Sequence, residues 1–173
     1  MPVYIALLRA VNVGGTGKLP MAELKAMCAA AGFTKIETYI ASGNVVFAAK
    51  QSASKVKTAL EDRLQTYAGK PVSVIIRTPD EMAAVLKSNP FPKSAPNWTV
   101  AIFLDGPLPA DALDHMTGRK DEDVRLGNRE IYVAYGAGMG RSKLKIPAAE
   151  KGTARNINTI AKLVELAAAR SSR

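Results

Sequence analysis

Two stretches of this 173-residue chain place basic side chains in glycine-rich backbone, a combination suited to binding anionic oxygens. The first is Asn12-Val13-Gly14-Gly15-Thr16-Gly17-Lys18, with Arg9 just ahead of it. The second is Gly136-Ala137-Gly138-Met139-Gly140-Arg141-Ser142-Lys143. Glycine lets backbone N–H groups converge on one point, and a guanidinium, a hydroxyl and an ammonium supply donors that match phosphate oxygens. Neither stretch carries a nucleotide-binding fingerprint. In the first, Asn12 stands where a P-loop would begin with glycine, and Leu19 replaces the magnesium-binding Ser or Thr after Lys18. The second lacks the two-residue gap between the second and third glycines of a dinucleotide loop.

Two further segments join them. Ser42-Gly43-Asn44 has the composition of a hairpin turn, and Thr153-Ala154-Arg155-Asn156 precedes a helical stretch whose start is electropositive. The candidate anion-binding set is therefore Arg9, Asn12, Gly14, Gly15, Lys18, Ser42, Asn44, Arg141, Ser142, Lys143, Arg155 and Asn156. Each has a plainer reading. The glycines of the first loop serve a tight strand-to-helix connection, Ser42-Gly43-Asn44 serves a turn, and Asn156 serves as a helix N-cap.

Catalytic groupings are missing. His115 is the single histidine and sits beside Asp114, which suits a solvated surface position. Cys28 lies on an apolar helical stripe and reads as core. One histidine and one cysteine do not make a metal site, and no cofactor motif is present. Asp121-Glu122-Asp123 reads more simply as an acidic lead-in to a hairpin than as a cation site.

Charge points the same way as the loops. The chain carries 24 Lys and Arg against 15 Asp and Glu, a net of +9. Residues 141–173 hold 8 of those basic residues and 2 of the acidic ones, so two thirds of the excess lies in the last fifth of the chain. Such a local field attracts polyanions and phosphorylated ligands. Aromatic residues are only 6% of the chain, which leaves few stacking platforms for bases. Contact with a nucleic-acid backbone fits this composition and base reading does not. No apolar run approaches the ~20 residues of a membrane span, and a lone cysteine suits a reducing cytoplasm.

The elements that would position these loops follow from periodicity. Strands are expected at 3–8, 36–41, 44–48 and 72–76, with helices from Pro20 to about Ala31, along the stripe Val56, Leu60 and Leu64, and after the capping box Thr78-Pro79-Asp80-Glu81. The three prolines within 88–97 mark a connection. Beyond it come a strand at 99–104, a helix at 109–116, a hairpin pairing 123–126 with 130–135 across Gly127-Asn128, and a helix at 156–169. The expected fold is α+β: two ferredoxin-like (split βαβ) sandwiches with antiparallel sheets. The second is incomplete or modified, because no closing strand is evident. The boundaries are 1–88, a Pro-rich connection at 89–98, and 99–173.

At these residues the chain resembles the bacterial "domain of unknown function 1697" family. The resemblance rests on Ala6-Leu7-Leu8-Arg9, Asn12-Val13-Gly14-Gly15, Lys18, Pro20-Met21, Gly32-Phe33, Thr38-Tyr39 and Ser42-Gly43-Asn44-Val45. It continues through Asn89-Pro90-Phe91, Gly140-Arg141-Ser142-Lys143-Leu144 and Thr153-Ala154-Arg155-Asn156. It implies two ferredoxin-like halves and no particular activity. Thr16 stands where similar proteins often have histidine, and Ile157 where they often have tryptophan.

The function expected from the residues is a binding module for a phosphate-bearing ligand: a nucleotide, a phosphorylated metabolite or a nucleic-acid backbone. Two alternatives stand beside it. One is an enzyme acting on a small phosphorylated substrate without metal or His/Cys catalysis. The other is a protein-interaction or homodimerising module.

Overall fold

The computed structural model describes residues 1–12, 18–136 and 139–171. It divides into two compact units, Met1–Met82 with Lys162–Arg173, and Ala83–Ala161.

In the first unit, β1 (Val3–Leu8) leads through the first glycine loop to α1 (Met21–Ala30). The hairpin β2 (Thr34–Tyr39) and β3 (Asn44–Ala48), the helix α2 (Ala53–Ala68) and β4 (Val74–Arg77) follow. The strands lie in the order β2-β3-β1-β4, all pairs antiparallel, which is the ferredoxin-like arrangement. Every residue of β1 is buried, as its unbroken apolar run requires of a strand covered on both faces. Tyr4, Ala6 and Leu8 join Leu24, Met27 and Cys28 of α1 and Val56, Leu60 and Leu64 of α2 in one core. The three α2 side chains repeat at i, i+4 and i+8, and each gains about 1.5–3 kcal/mol by leaving water. Phe33 stacks on Phe47 at 4.4 Å and closes that core beside β3.

Local signals set the helix ends. Ser52 Oγ accepts from the Lys55 amide at the start of α2, and Gly69, at φ 73°, ends it with an N–H bond to Gln65 O. Thr78 and Glu81 form a reciprocal capping box, the Thr78 amide donating to Glu81 Oε1 at 2.8 Å and the Glu81 amide to Thr78 Oγ1 at 3.2 Å. The helix they start is α3 (Pro79–Lys87).

The second unit repeats the sheet but not its helices. Its strands are β5 (Thr99–Phe103), β6 (Asp123–Leu126), β7 (Glu130–Ala134) and β8 (Thr153–Asn156), in the order β6-β7-β5-β8. This order matches the first sheet position by position. Three expectations are corrected here. Residues 109–116 form no helix; they make isolated turns such as Ala112 N–H to Pro109 O and Asp114 N–H to Asp111 O. Eight residues between Pro109 and Gly118, two of them aspartates, are too few to offset helix nucleation, while Leu113 and Met116 still pack on the sheet. The closing strand does exist: β8 pairs antiparallel with β5, Ala101 opposite Arg155. The β6–β7 turn centres on Asn128-Arg129, because Gly127 and Glu130 already face each other, with the Gly127 amide on Glu130 O at 2.7 Å.

The last helix, α4 (Ile157–Ser171), starts directly after β8. The chain is thus an α+β protein with two four-stranded antiparallel sheets and, among the described residues, four helices. None of those helices is long and apolar enough to cross a membrane.

Candidate functional site

The second unit holds a pocket of about 620 Å³ between two connections that replace ferredoxin-like helices. One wall is Gly118-Arg119-Lys120-Asp121-Glu122, ahead of β6. The other is Arg141-Ser142-Lys143, between β7 and β8. The walls are joined at one end by a two-bond bridge: the Thr117 amide donates to Lys145 O at 3.0 Å, and the Lys145 amide to Thr117 O at 2.8 Å. Gly118 follows at φ 72°, and a Cβ there would lie 2.0 Å from Lys143 O. Only glycine permits this approach, so the walls meet backbone to backbone.

A buried carboxylate joins them a second time. Glu122 is 3% exposed. Its Oε1 accepts from the Lys120 amide at 2.6 Å and its Oε2 accepts from the Ser142 hydroxyl. Ser142 Oγ in turn accepts from the Leu144 amide at 3.2 Å. The Ser142 hydroxyl first, and the Lys120 amide second, hold the Glu122 carboxyl below the usual glutamate range. Glu122 is therefore an ionised crosslink and a weak base, so Ser142 has no partner suited to activating it as a nucleophile.

Around this crosslink stand four cations and one further carboxylate. Arg119 is fixed, its Nε donating to Glu122 O at 2.7 Å and its Nη2 lying 3.7 Å from Asp123 Oδ1. Lys120, Arg141 and Lys143 are exposed and have no ion pair among the described residues. Counting Asp121 and Glu122, the pocket lining carries a net charge of +2. Cations gathered on opposed walls can hold an anion more firmly than a flat patch of the same charge.

The other sequence candidates are placed differently. Asn12, at φ 56°, is a loop clamp. Its Nδ2 donates to Leu19 O at 2.8 Å and Ala41 O at 2.7 Å, and its Oδ1 accepts from the Leu19 amide at 2.6 Å. Gly14 and Gly15 lie outside the described residues. Arg9 is exposed at the end of β1, its amide bonded to Ser73 O. Lys18 edges a separate pocket of about 210 Å³ in the first unit, with Leu64, Tyr67 and Lys70.

Asn44 is fully buried, donating to Tyr39 O at 2.9 Å and to Ser42 Oγ at 3.0 Å inside the β2–β3 turn. Gly43 completes that turn at φ 93°, where a Cβ would sit 2.6 Å from Val11 Cγ2. Arg155 lies on a strand, not at a helix start. It is 8% exposed, its Nη1 donates to Ala154 O, and burial brings its guanidinium down to about 10. Asn156 caps α4, its Oδ1 accepting from the Thr159 amide at 2.9 Å. Among the described residues of the candidate set, only Arg141, Ser142 and Lys143 line the larger pocket. The residues missed are Gly118, Arg119, Lys120, Asp121 and Glu122. The sequence signal that could have found them is Gly118-Arg119-Lys120, a glycine followed by two cations.

Among the described residues, no group of His, Cys, Asp and Glu gathers in a way that could hold a metal ion. Burial pushes the Cys28 thiol up to about 12.

The fold and the pocket define a paired ferredoxin-like α+β protein with a cationic cleft in its second half. Residues 1–132 match the family described as protein of unknown function (DUF1697), and the chain belongs to that family. It is similar to the solved structure described as that of conserved bacterial protein SP0830 from Streptococcus pneumoniae. The two are 25% identical, with a TM-score of 0.79 over 96% of this chain and 98% of that one. No curated protein matches the chain.

Proposed function

We propose that the pocket between residues 118–122 and 141–143 binds a phosphate-bearing ligand, and that the protein acts as a binding module for it. The observation that carries this reading is the pairing of a rigid frame with uncommitted charge. Glu122, Ser142 and the Thr117–Lys145 bridge fix both walls, while Lys120, Arg141 and Lys143 are left without ion pairs among the described residues. Binding then costs little ordering of backbone, because the walls are set before the ligand arrives. Guanidinium and ammonium groups on opposite walls suit the several oxygens of a phosphate. A volume of about 620 Å³ falls in the range of small-molecule sites.

The test is calorimetric titration of inorganic pyrophosphate into the whole chain at low salt. Binding is expected, with affinity falling as salt is added. The double variant Arg141→Ala with Lys143→Ala is expected to weaken it by about tenfold or more. Equal affinity in the variant and the parent would refute the assignment to this pocket.

A further inference from the structure

We infer, resting on the phosphate reading of this pocket, that its ligand is a polyhydroxylated phosphate such as a sugar phosphate, and that Asp121 recognises its hydroxyl groups. Asp121 lines the same pocket as Arg119, Lys120, Arg141 and Lys143. Glu122 has both oxygens occupied by the Lys120 amide and Ser142. Asp121 has no hydrogen bond or ion pair among the described residues, although four cations share its cavity. A glycine makes room for it: a Cβ at position 136 would lie 3.0 Å from Asp121 Oδ2 and 3.4 Å from its Cγ. The carboxylate thus packs beside Gly136, on a residue that lines a pocket of net positive charge, without being consumed by the cations there.

That placement selects a ligand. An ionised carboxylate only accepts hydrogen bonds, so the group opposite it must donate. A bare polyphosphate or a nucleic-acid backbone presents negative oxygens and would be repelled there. A molecule with phosphate at one end and hydroxyls at the other satisfies both kinds of group at once. None of the eight lining residues is aromatic, so nothing in the lining stacks on a base, and a sugar phosphate is favoured over a nucleotide.

The experiment titrates ribose 5-phosphate, hydroxyl-free propyl phosphate and inorganic pyrophosphate into the parent, Asp121→Asn and Asp121→Ala chains. The parent should prefer ribose 5-phosphate to propyl phosphate by about tenfold, the worth of a charge-assisted hydrogen bond. In Asp121→Ala that preference should fall to near unity, and in Asp121→Asn it should shrink. Pyrophosphate should bind both variants at least as tightly as the parent, because a repulsive charge has gone. Its binding also shows that each variant's pocket is formed. A preference that survives Asp121→Ala, or one absent from the parent, overturns this inference while leaving the phosphate reading standing. Tighter binding of phosphoethanolamine than of ribose 5-phosphate would overturn it too, since an amine would then be the donor. Failure of pyrophosphate to bind the parent would instead overturn the underlying phosphate reading.

Discussion

Glu122 and Ser142 stand 20 positions apart and share one hydrogen bond that is the largest cause of the carboxyl's lowered pKa. Replacing Ser142 by Ala removes the largest cause of the lowered pKa. The Glu122 carboxyl should then titrate closer to the usual glutamate value, as a carbon-detected NMR titration would show. A carboxyl depressed in the folded state stabilises the fold above its unfolded pKa, near 4.5, and that contribution is lost as pH falls through the folded value. The parent should therefore lose this contribution at a lower pH than Ser142→Ala does. Gly118 sets the other contact between the walls. Gly118→Ala forces a Cβ into Lys143 O and an alanine into φ 72°, so the Thr117–Lys145 bridge must open. A loss of about 2–4 kcal/mol in urea unfolding is expected, together with loss of pyrophosphate binding. Unchanged stability and binding would mean that the walls do not meet there.

Among the elements of the first unit, Asn12 ties the end of β1 to Leu19 and Ala41, its side chain making three hydrogen bonds to their backbone. Asn12→Ala leaves those groups short of partners and puts alanine at φ 56°. It should cost about 2–3 kcal/mol by chemical denaturation without altering pyrophosphate affinity, a split that separates a clamp from a ligand contact. The first unit was largely legible in sequence because its signals are local. The apolar run of β1, the i, i+4 stripe of α2 and the Thr78–Glu81 box each act within one element. β8 was not legible, since Thr153-Ala154-Arg155-Asn156 has no apolar alternation and becomes a strand only by pairing with β5. Residues 109–116 misled for the converse reason: a proline start and spaced leucine and methionine suggest a helix, yet the segment is too short and too rich in aspartate to hold one. The pocket was half legible. Arg141, Ser142 and Lys143 drew notice by composition, whereas Glu122 looked like a hairpin lead-in because its partner lies on a distant loop.

Across the whole molecule, buried neutral acids set the alkaline limit of stability. Burial raises Cys28 from 9.0 to about 12, and burial followed by the charge of Glu130 raises Tyr132 from 10.0 to about 12. Between pH 9 and 10 the unfolded chain therefore sheds protons that the folded chain keeps, and stability falls as pH rises through that window, before the lowered Arg155 value of about 10 adds an opposing contribution. The melting temperature should decline across it, and Cys28→Ser should flatten the part that begins near pH 9. In the native protein at pH 8, Cys28 should resist a thiol reagent until denaturant is added. Where the molecule receives negative charge can be read residue by residue in an amide NMR titration of the isotope-labelled chain with pyrophosphate at low salt. Saturable shifts are expected, concentrated at Gly118–Glu122 and Arg141–Lys143. Shifts confined to other parts of the chain, or none at all, would contradict the assignment to this pocket.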